Sequence, residues 1–116
     1  MIKNTSMQPR RSFIFVPGLR PDMFPKALAS GVDIVCVELE DGIAPKDKAE
    51  ARQKALALFS KPQPNDGVER IVRINSMREK FGIEDVNAIL SAKTPPPALM
   101  MPKVRSPDEV KMLDQL

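Results

Sequence analysis

Arg73 is the residue whose surroundings most call for a chemical explanation. It sits in the apolar run Arg70-Ile-Val-Arg-Ile74, where strand alternation puts Ile71, Arg73 and Asn75 on one face and Val72 and Ile74 on the other. A guanidinium carried into a sheet is costly unless an anion meets it. Its planar fork suits a carboxylate bound through two parallel hydrogen bonds. That carboxylate belongs either to a substrate or to the chain, which offers Glu38, Glu40 and Asp41. Glu38 and Glu40 share a face by the same alternation, and Asp41 points the other way or into the loop. Three carboxylates so close could ligate Mg2+ through oxygen. The reading favoured here is that they organise Arg73 and Lys103 and support a metal's water shell from behind.

Arg20 and Lys26 form a second cationic pair. Arg20 falls in the loop after the first apolar run, and Lys26 in the first turn of the helix that follows. Unpaired N–H groups at a helix N-terminus also favour negative charge, so this corner suits phosphates. The alternative leaves both as solvated charges, or pairs Arg20 with a neighbouring acid. Lys103 follows Met101-Pro102 at a strand end, where Schiff-base aldol chemistry would place its lysine. The preferred reading makes it an electrostatic or structural partner. Cys36 is the only cysteine and histidine is absent. Neither an intrachain disulfide nor a Cys/His zinc site can be built, and Cys36 reads as a small buried hydrophobe.

The elements that must position these groups are marked by turn residues. A strand over 12–16 stops at Pro17-Gly18. A helix then starts with Asp22 as N-cap and Pro25 at its third position, turns Phe24, Ala27 and Leu28 inward, and ends at Gly31. Residues 33–39 form a strand apolar on both faces, as when both sides of a sheet are covered. A helix over about 46–59 buries Ala51, Ala55, Leu58 and Phe59. After a loop over 60–67 come a strand at 70–74 and a helix at 83–91 with Val86, Ile89 and Leu90 inward. Residues 98–101 give a fourth strand. Ser106-Pro-Asp-Glu109 then opens a fourth helix through a capping box, continued by Val110, Met112 and Leu113.

Four β-α units in succession demand a parallel sheet with right-handed crossovers. An open doubly wound sheet and part of a closed barrel both satisfy that order. No G-x-G-x-x-G follows the first strand, which removes the usual dinucleotide-binding form of the open sheet. A complete (β/α)8 barrel takes roughly 250 residues; this chain has 116.

Five segments then fall in a familiar order: Arg11-Ser-Phe-Ile-Phe-Val-Pro-Gly-Leu-Arg-Pro21, Lys26-Ala-Leu-Ala-Ser-Gly-Val-Asp33, Glu38-Leu-Glu-Asp-Gly-Ile-Ala-Pro45 with Lys48, Val72-Arg-Ile-Asn75, and Pro102-Lys-Val104. Over about 10–116 the chain resembles the amino-terminal half of the HpcH/HpaI aldolase, or citrate lyase β-subunit-like, family, which includes malyl-CoA lyases. The resemblance implies an α/β fold, with four β/α units making the N-terminal half of a (β/α)8 TIM barrel behind a flexible segment at 1–10. It implies Mg2+-dependent, aldol-type cleavage of a C–C bond in a CoA-linked hydroxy acid, with the metal as Lewis acid. Phe15, Arg20 and Lys26 match positions that contact the CoA substrate. Arg73 matches an arginine that binds the substrate's carboxylate or carbonyl end and is the catalytic candidate. Glu38, Glu40, Asp41, Asn75 and Lys103 would support them. The family's Glu and Asp metal ligands have no match, so no metal ligand is expected before Leu116. The sequence departs from the family pattern at Glu38, where Asp is usual, at Gly42-Ile43, where Ala-Val is usual, and at Pro25.

Composition narrows the classes. With 42% hydrophobic and 28% charged residues the chain is ordinary globular protein. Its net charge of +3, with no Trp or Tyr, argues against nucleic acid as partner. No stretch reads as a membrane span or a signal peptide, so a cytoplasmic location is the default. The expected partners are an acyl-CoA or a small oxo- or hydroxy-acid. A half-barrel would also leave open strand edges, which predicts a homo-oligomer or a longer natural chain. The rival class is an inactive half-barrel that binds acyl-CoA or acts as a scaffold with a partner.

Overall fold

The computed structural model of the chain describes residues 11–102. In order along the chain they form β1 (Phe13–Pro17), a 3-10 turn (Pro21–Met23), α1 (Phe24–Leu28) and β2 (Ile34–Glu38). A 3-10 turn (Pro45–Asp47), α2 (Lys48–Leu58), β3 (Glu69–Arg73), α3 (Lys80–Ser91) and β4 (Leu99–Met100) follow. The flexible segment read at 1–10, Lys103 and the fourth helix all lie outside the described residues.

The four strands make one sheet in the order β1-β2-β3-β4, every pair parallel. Neighbours in register share a face. One face therefore carries the row Val16, Val37, Val72 and Leu99. Against it pack Phe24 and Ala27 of α1, Ala51 and Ala55 of α2 with Phe59 just beyond it, and Val86 and Ile89 of α3, all in one apolar cluster. Each large side chain so buried contributes about 1.5–3 kcal/mol. The other face carries Phe15, Cys36 and Ile71 in one row and Pro17, Glu38, Arg73 and Met100 in the next. β2 is buried along its whole length, as its unbroken apolar run requires. No helix among the described residues is long and apolar enough to cross a membrane.

Three local expectations need correcting. Pro21 starts a 3-10 turn, so α1 begins at Phe24 with Pro25 second, and Asp22 makes no side-chain cap because Arg20 occupies its carboxylate. Leu90 does not face inward: it is 55% exposed, one residue beyond Ile89 and so about 100° further round the helix. Leu58 is only partly buried, against the edge of the core.

The loop between α2 and β3 is closed by Arg70, which is buried on the helix-covered face. Its guanidinium donates to Asp66 through both terminal nitrogens (2.9 and 3.0 Å), to Gln63 Oε1 (2.8 Å) and to the Val68 carbonyl (2.9 Å). Those bonds, with one from the Val68 N–H, hold the Asp66 carboxyl down to about 2. A lowered folded-state pKa stabilises above the unfolded value of about 4, and that contribution disappears as pH falls through the folded value. Asp66→Asn should therefore have a lower urea midpoint than the parent above pH 4, with the gap closing by about pH 2. A gap independent of pH would refute this account.

Candidate functional site

At the carboxyl end of the sheet, β2 and β3 bring Glu38 and Arg73 side by side in register. The Glu38 side chain is buried, and its two oxygens have different tasks. Oε2 accepts the N–H groups of Glu40 and Asp41, both at 2.8 Å, which folds the strand's exit into a tight turn. Oε1 lies 3.4 Å from Arg73 Nη1. The turn sends Glu40 back over the same guanidinium, and its Oε1 accepts from Arg73 Nη2 at 3.0 Å. Arg73 thus stands between two carboxylates, with its Cζ 5.6 Å from the Phe15 ring centroid, a cation–π distance. Its Nε–H is buried and has no acceptor among the described residues.

Phe15, Pro17, Glu38, Asp41 and Arg73 line an open depression of about 250 Å3. Three carboxylates against one guanidinium leave this mouth negative. Yet no group of three or more acidic, His or Cys side chains among the described residues is arranged to hold a metal ion. Glu38 Oε2 is already committed to two backbone donors, so Glu38 and Glu40 act on Arg73 and Glu38 also holds the turn, to which Asp41 contributes its N–H.

Below Glu38, Cys36 is fully buried. Burial pushes its thiol up to about 12, the Glu38 charge adding to the shift and Arg73 opposing it. It therefore stays a thiol at neutral pH and is no nucleophile.

A second groove, about 380 Å3, opens beside the β1 edge and shares Phe15 with the first. Arg20, Asp22 and Lys26 rim it. Phe15 is 44% exposed, with its ring centroid 4.9 Å from that of Phe13 in a tilted contact. Arg20 is not a free cation: its Nε and Nη2 donate to both Asp22 oxygens at 3.1 and 3.0 Å. The pairing raises the Arg20 pKa and lowers that of Asp22. The neighbouring-acid alternative thus describes Arg20 as it stands, within a groove that also holds Lys26.

Asn75 lies elsewhere than alternation places it. β3 ends at Arg73, and two residues on Asn75 is buried beside the helices. Its N–H and Nδ2 donate to Asp85 Oδ2 at 2.9 and 2.7 Å, while its Oδ1 accepts from Lys48 Nζ at 2.6 Å. It belongs to a polar network that the sequence reading missed. Asp85 also accepts from Arg52 Nε at 2.8 Å, and Lys48 donates to the Glu40 carbonyl at 2.9 Å and the Leu39 carbonyl at 3.3 Å. The signal was present: Lys48 and Arg52 fall on the same helical stripe as Ala51 and Ala55, and Asp85 on that of Ile89. Charges on an apolar stripe ask for partners.

Comparison with known proteins places this geometry. The family model for HpcH/HpaI aldolase/citrate lyase matches residues 11–116. The chain is 33% identical over 103 residues to the mitochondrial citramalyl-CoA lyase of Homo sapiens, covering 89% of this chain and 30% of that protein. It is 37% identical over 111 residues to the L-malyl-CoA/beta-methylmalyl-CoA lyase of Cereibacter sphaeroides, covering 94% and 34%. Among solved structures it resembles a citrate lyase beta subunit from M. tuberculosis, complexed with oxaloacetate and magnesium. The TM-score is 0.70 at 32% identity, over 87% of this chain and 42% of that one. The chain therefore spans about a third of the length of the curated relatives it matches.

Proposed function

The chain belongs to the HpcH/HpaI aldolase/citrate lyase family, and on that premise we propose that it forms the amino-terminal half of a (β/α)8-barrel lyase. The whole protein would cleave a C–C bond in a CoA-linked hydroxy acid of the malyl- or citramalyl-CoA class, in the cytoplasm, with Mg2+. Sequential parallel strands with every described helix on one face support the barrel, because closure would turn the face carrying Arg73 into the lumen. The carboxyl ends of the strands, where Glu38, Glu40 and Arg73 meet, are where such barrels keep their chemistry.

The observation that carries the proposal is Arg73. It is held at a strand end by two carboxylates, with an unused Nε–H and an open depression beside it. An oxo-acid carboxylate entering there would meet the Nε–H edge of a guanidinium already oriented and already stripped of most of its water. Mg2+ would supply Lewis-acid stabilisation of the developing enolate. No group of three or more acidic, His or Cys side chains among the described residues is arranged to hold it, and our reading, following the family resemblance, puts its ligands on later strands of the whole protein. Glu38, Glu40 and Asp41 would contribute the negative field behind the metal, with Asn75 and Lys103 as supporting groups. In the β1 groove, Lys26 and Arg20 would take CoA phosphates and Phe15 an apolar part of the thioester arm. Arg20 would exchange Asp22 for the stronger anion.

The test is calorimetric titration of the 116-residue chain with oxaloacetate and, separately, with CoA. Loss of a charge-assisted bond of about 1.5–3 kcal/mol corresponds to roughly 10- to 150-fold in affinity. Arg73→Ala should weaken oxaloacetate by that range and leave CoA alone; Arg20→Ala with Lys26→Ala should do the reverse. Equal binding by parent and variants would remove the substrate roles, and turnover by this chain with Mg2+ would contradict the placement of the metal ligands. A second reading, an inactive half-barrel that binds acyl-CoA or acts as a scaffold with a partner, is favoured by the exposed Phe15 and by β1 pairing with β2 alone among the described residues. A monodisperse monomer in light scattering would count against self-association through that open edge.

A further inference from the structure

We propose that Lys48 is a positioning residue of this mouth: its buried ammonium fixes the turn after β2 against the turn after β3, and so sets where Glu40 meets Arg73. The role deepens the proposed function, since it matters to substrate only if Arg73 is the substrate's anchor.

Lys48 opens α2, with Asp47 as its N-cap. A cation there faces the positive end of the helix dipole. The side chain is also 93% shielded from solvent, at a relative exposure of 7%, and burial disfavours an ammonium unless oxygens surround it. Neither helix stability nor solubility explains a lysine in this place. What explains it is the set of oxygens at its tip: the Glu40 carbonyl at 2.9 Å, the Leu39 carbonyl at 3.3 Å and Asn75 Oδ1 at 2.6 Å. Phe81, in the first turn of α3, closes a further side with its ring centroid 5.7 Å away.

These contacts converge on the site by two short routes. Glu40 gives its carbonyl to Lys48 and its carboxylate to Arg73. Asn75, two residues past Arg73, is gripped by Lys48 on one atom and by Asp85 on the others. An ammonium has three protons to give, and here they span both turns. A neutral side chain of similar length would leave these oxygens without their shared donor, and the two turns would no longer have a common reference. Glu40 would then be free to leave Arg73.

The experiment reads Arg73 directly, with no ligand present. In the 116-residue chain, the Arg73 Nε–H nitrogen resonance is assigned by its loss in Arg73→Lys. Glu40→Gln should shift it, because the ion pair changes. In Lys48→Met the Nε–H should exchange with solvent about tenfold faster, and Glu40→Gln should no longer move it. Lys54→Met, which changes a surface lysine on the same helix, should leave both properties as in the parent. A role in overall stability alone would lower the urea midpoint and leave Glu40 coupled to Arg73. An undiminished Glu40→Gln shift in Lys48→Met would overturn the proposal. Should Lys48→Met fail to fold, Lys48→Gln, which keeps two amide donors without the charge, is read by the same two criteria. Absence of oxaloacetate binding would sink the proposed function and leave this result untouched.

Discussion

Substituting alanine for Gly82 is expected to lower the unfolding free energy by about 3 kcal/mol or more, seen as a drop in urea midpoint at constant slope. Gly82 lies in the first turn of α3. Helix propensity alone predicts the opposite sign, since alanine is about 1 kcal/mol better than glycine inside a helix. Sterics decide the matter. A Cβ at Gly82 would collide with the Ser76 carbonyl, standing 2.5 Å from its carbon and 2.7 Å from the Asn75 carbonyl oxygen. Both are backbone groups, so no rotamer change relieves the contact. The Ser76 carbonyl also accepts the Glu79 N–H at 3.0 Å, and Asn75 is held by Lys48 and Asp85. Relaxation would have to break one of these. Gly31→Ala is the comparison: Gly31 has φ +91° and open space around it, so only the left-handed backbone is strained, at about 1–2 kcal/mol. A smaller loss at Gly82 than at Gly31 would show that the β3–α3 turn moves easily.

Gly82 also marks where reading the sequence reaches its limit. Period two in a strand and the apolar run of β2 are local properties, so the strands, and Glu38 and Glu40 as candidate partners of Arg73, were legible in the sequence. The register pairing Glu38 with Arg73 was not, because it depends on how each crossover seats its strand. The Asn75 misplacement has a local cause: alternation was carried two residues past the end of β3. Leu90 was assigned inward because helical spacing alone does not say where an apolar stripe ends. The 3-10 turn at Pro21 moved the start of α1 and released Asp22 to Arg20. Gly82 gave no signal at all, for the atoms it accommodates lie in a turn whose path the sequence does not reveal.

The polar network was hidden for a related reason. Its side-chain partners lie 10, 27 and 33 positions apart, beyond the three- and four-residue spacing at which a helix brings side chains together. Charge on a buried stripe was the available clue, and it indicates that a partner exists without saying which. The family resemblance supplied Arg73 and the CoA groove as expectations. It did not supply the reason Arg73 stays where it is, which is the pair of carboxylates around it and the Lys48 network behind them.

Asp85→Ala should be the most damaging change in that network, lowering stability by about 3–5 kcal/mol. Asp85 is fully buried and receives three donors: the Asn75 N–H and Nδ2 on one oxygen, and Arg52 Nε on the other. Removing it strands two donors of Asn75 and part of a guanidinium whose side chain is only 13% exposed, and Arg52 keeps just the Glu84 contact at 3.2 Å. Arg52→Met should lower stability by less, about 1–2 kcal/mol, because Asp85 then retains both Asn75 bonds and the new side chain packs beside Ala51 and Ala55. Asp85→Asn should fall between them: its amide oxygen can serve both Asn75 donors, while its NH2 group points at Arg52 Nε–H, donor against donor. Chemical denaturation of the three variants gives the order. If Asp85→Ala proved no worse than Arg52→Met, Asn75 would have to find other acceptors, and its hold on Lys48 could not depend on Asp85. With the expected order, the carboxylate that ties α3 to α2 through Arg52 also keeps Asn75 pointed at the ammonium that orients Glu40. Stability of the helix layer and geometry of the mouth would then rest on one carboxylate.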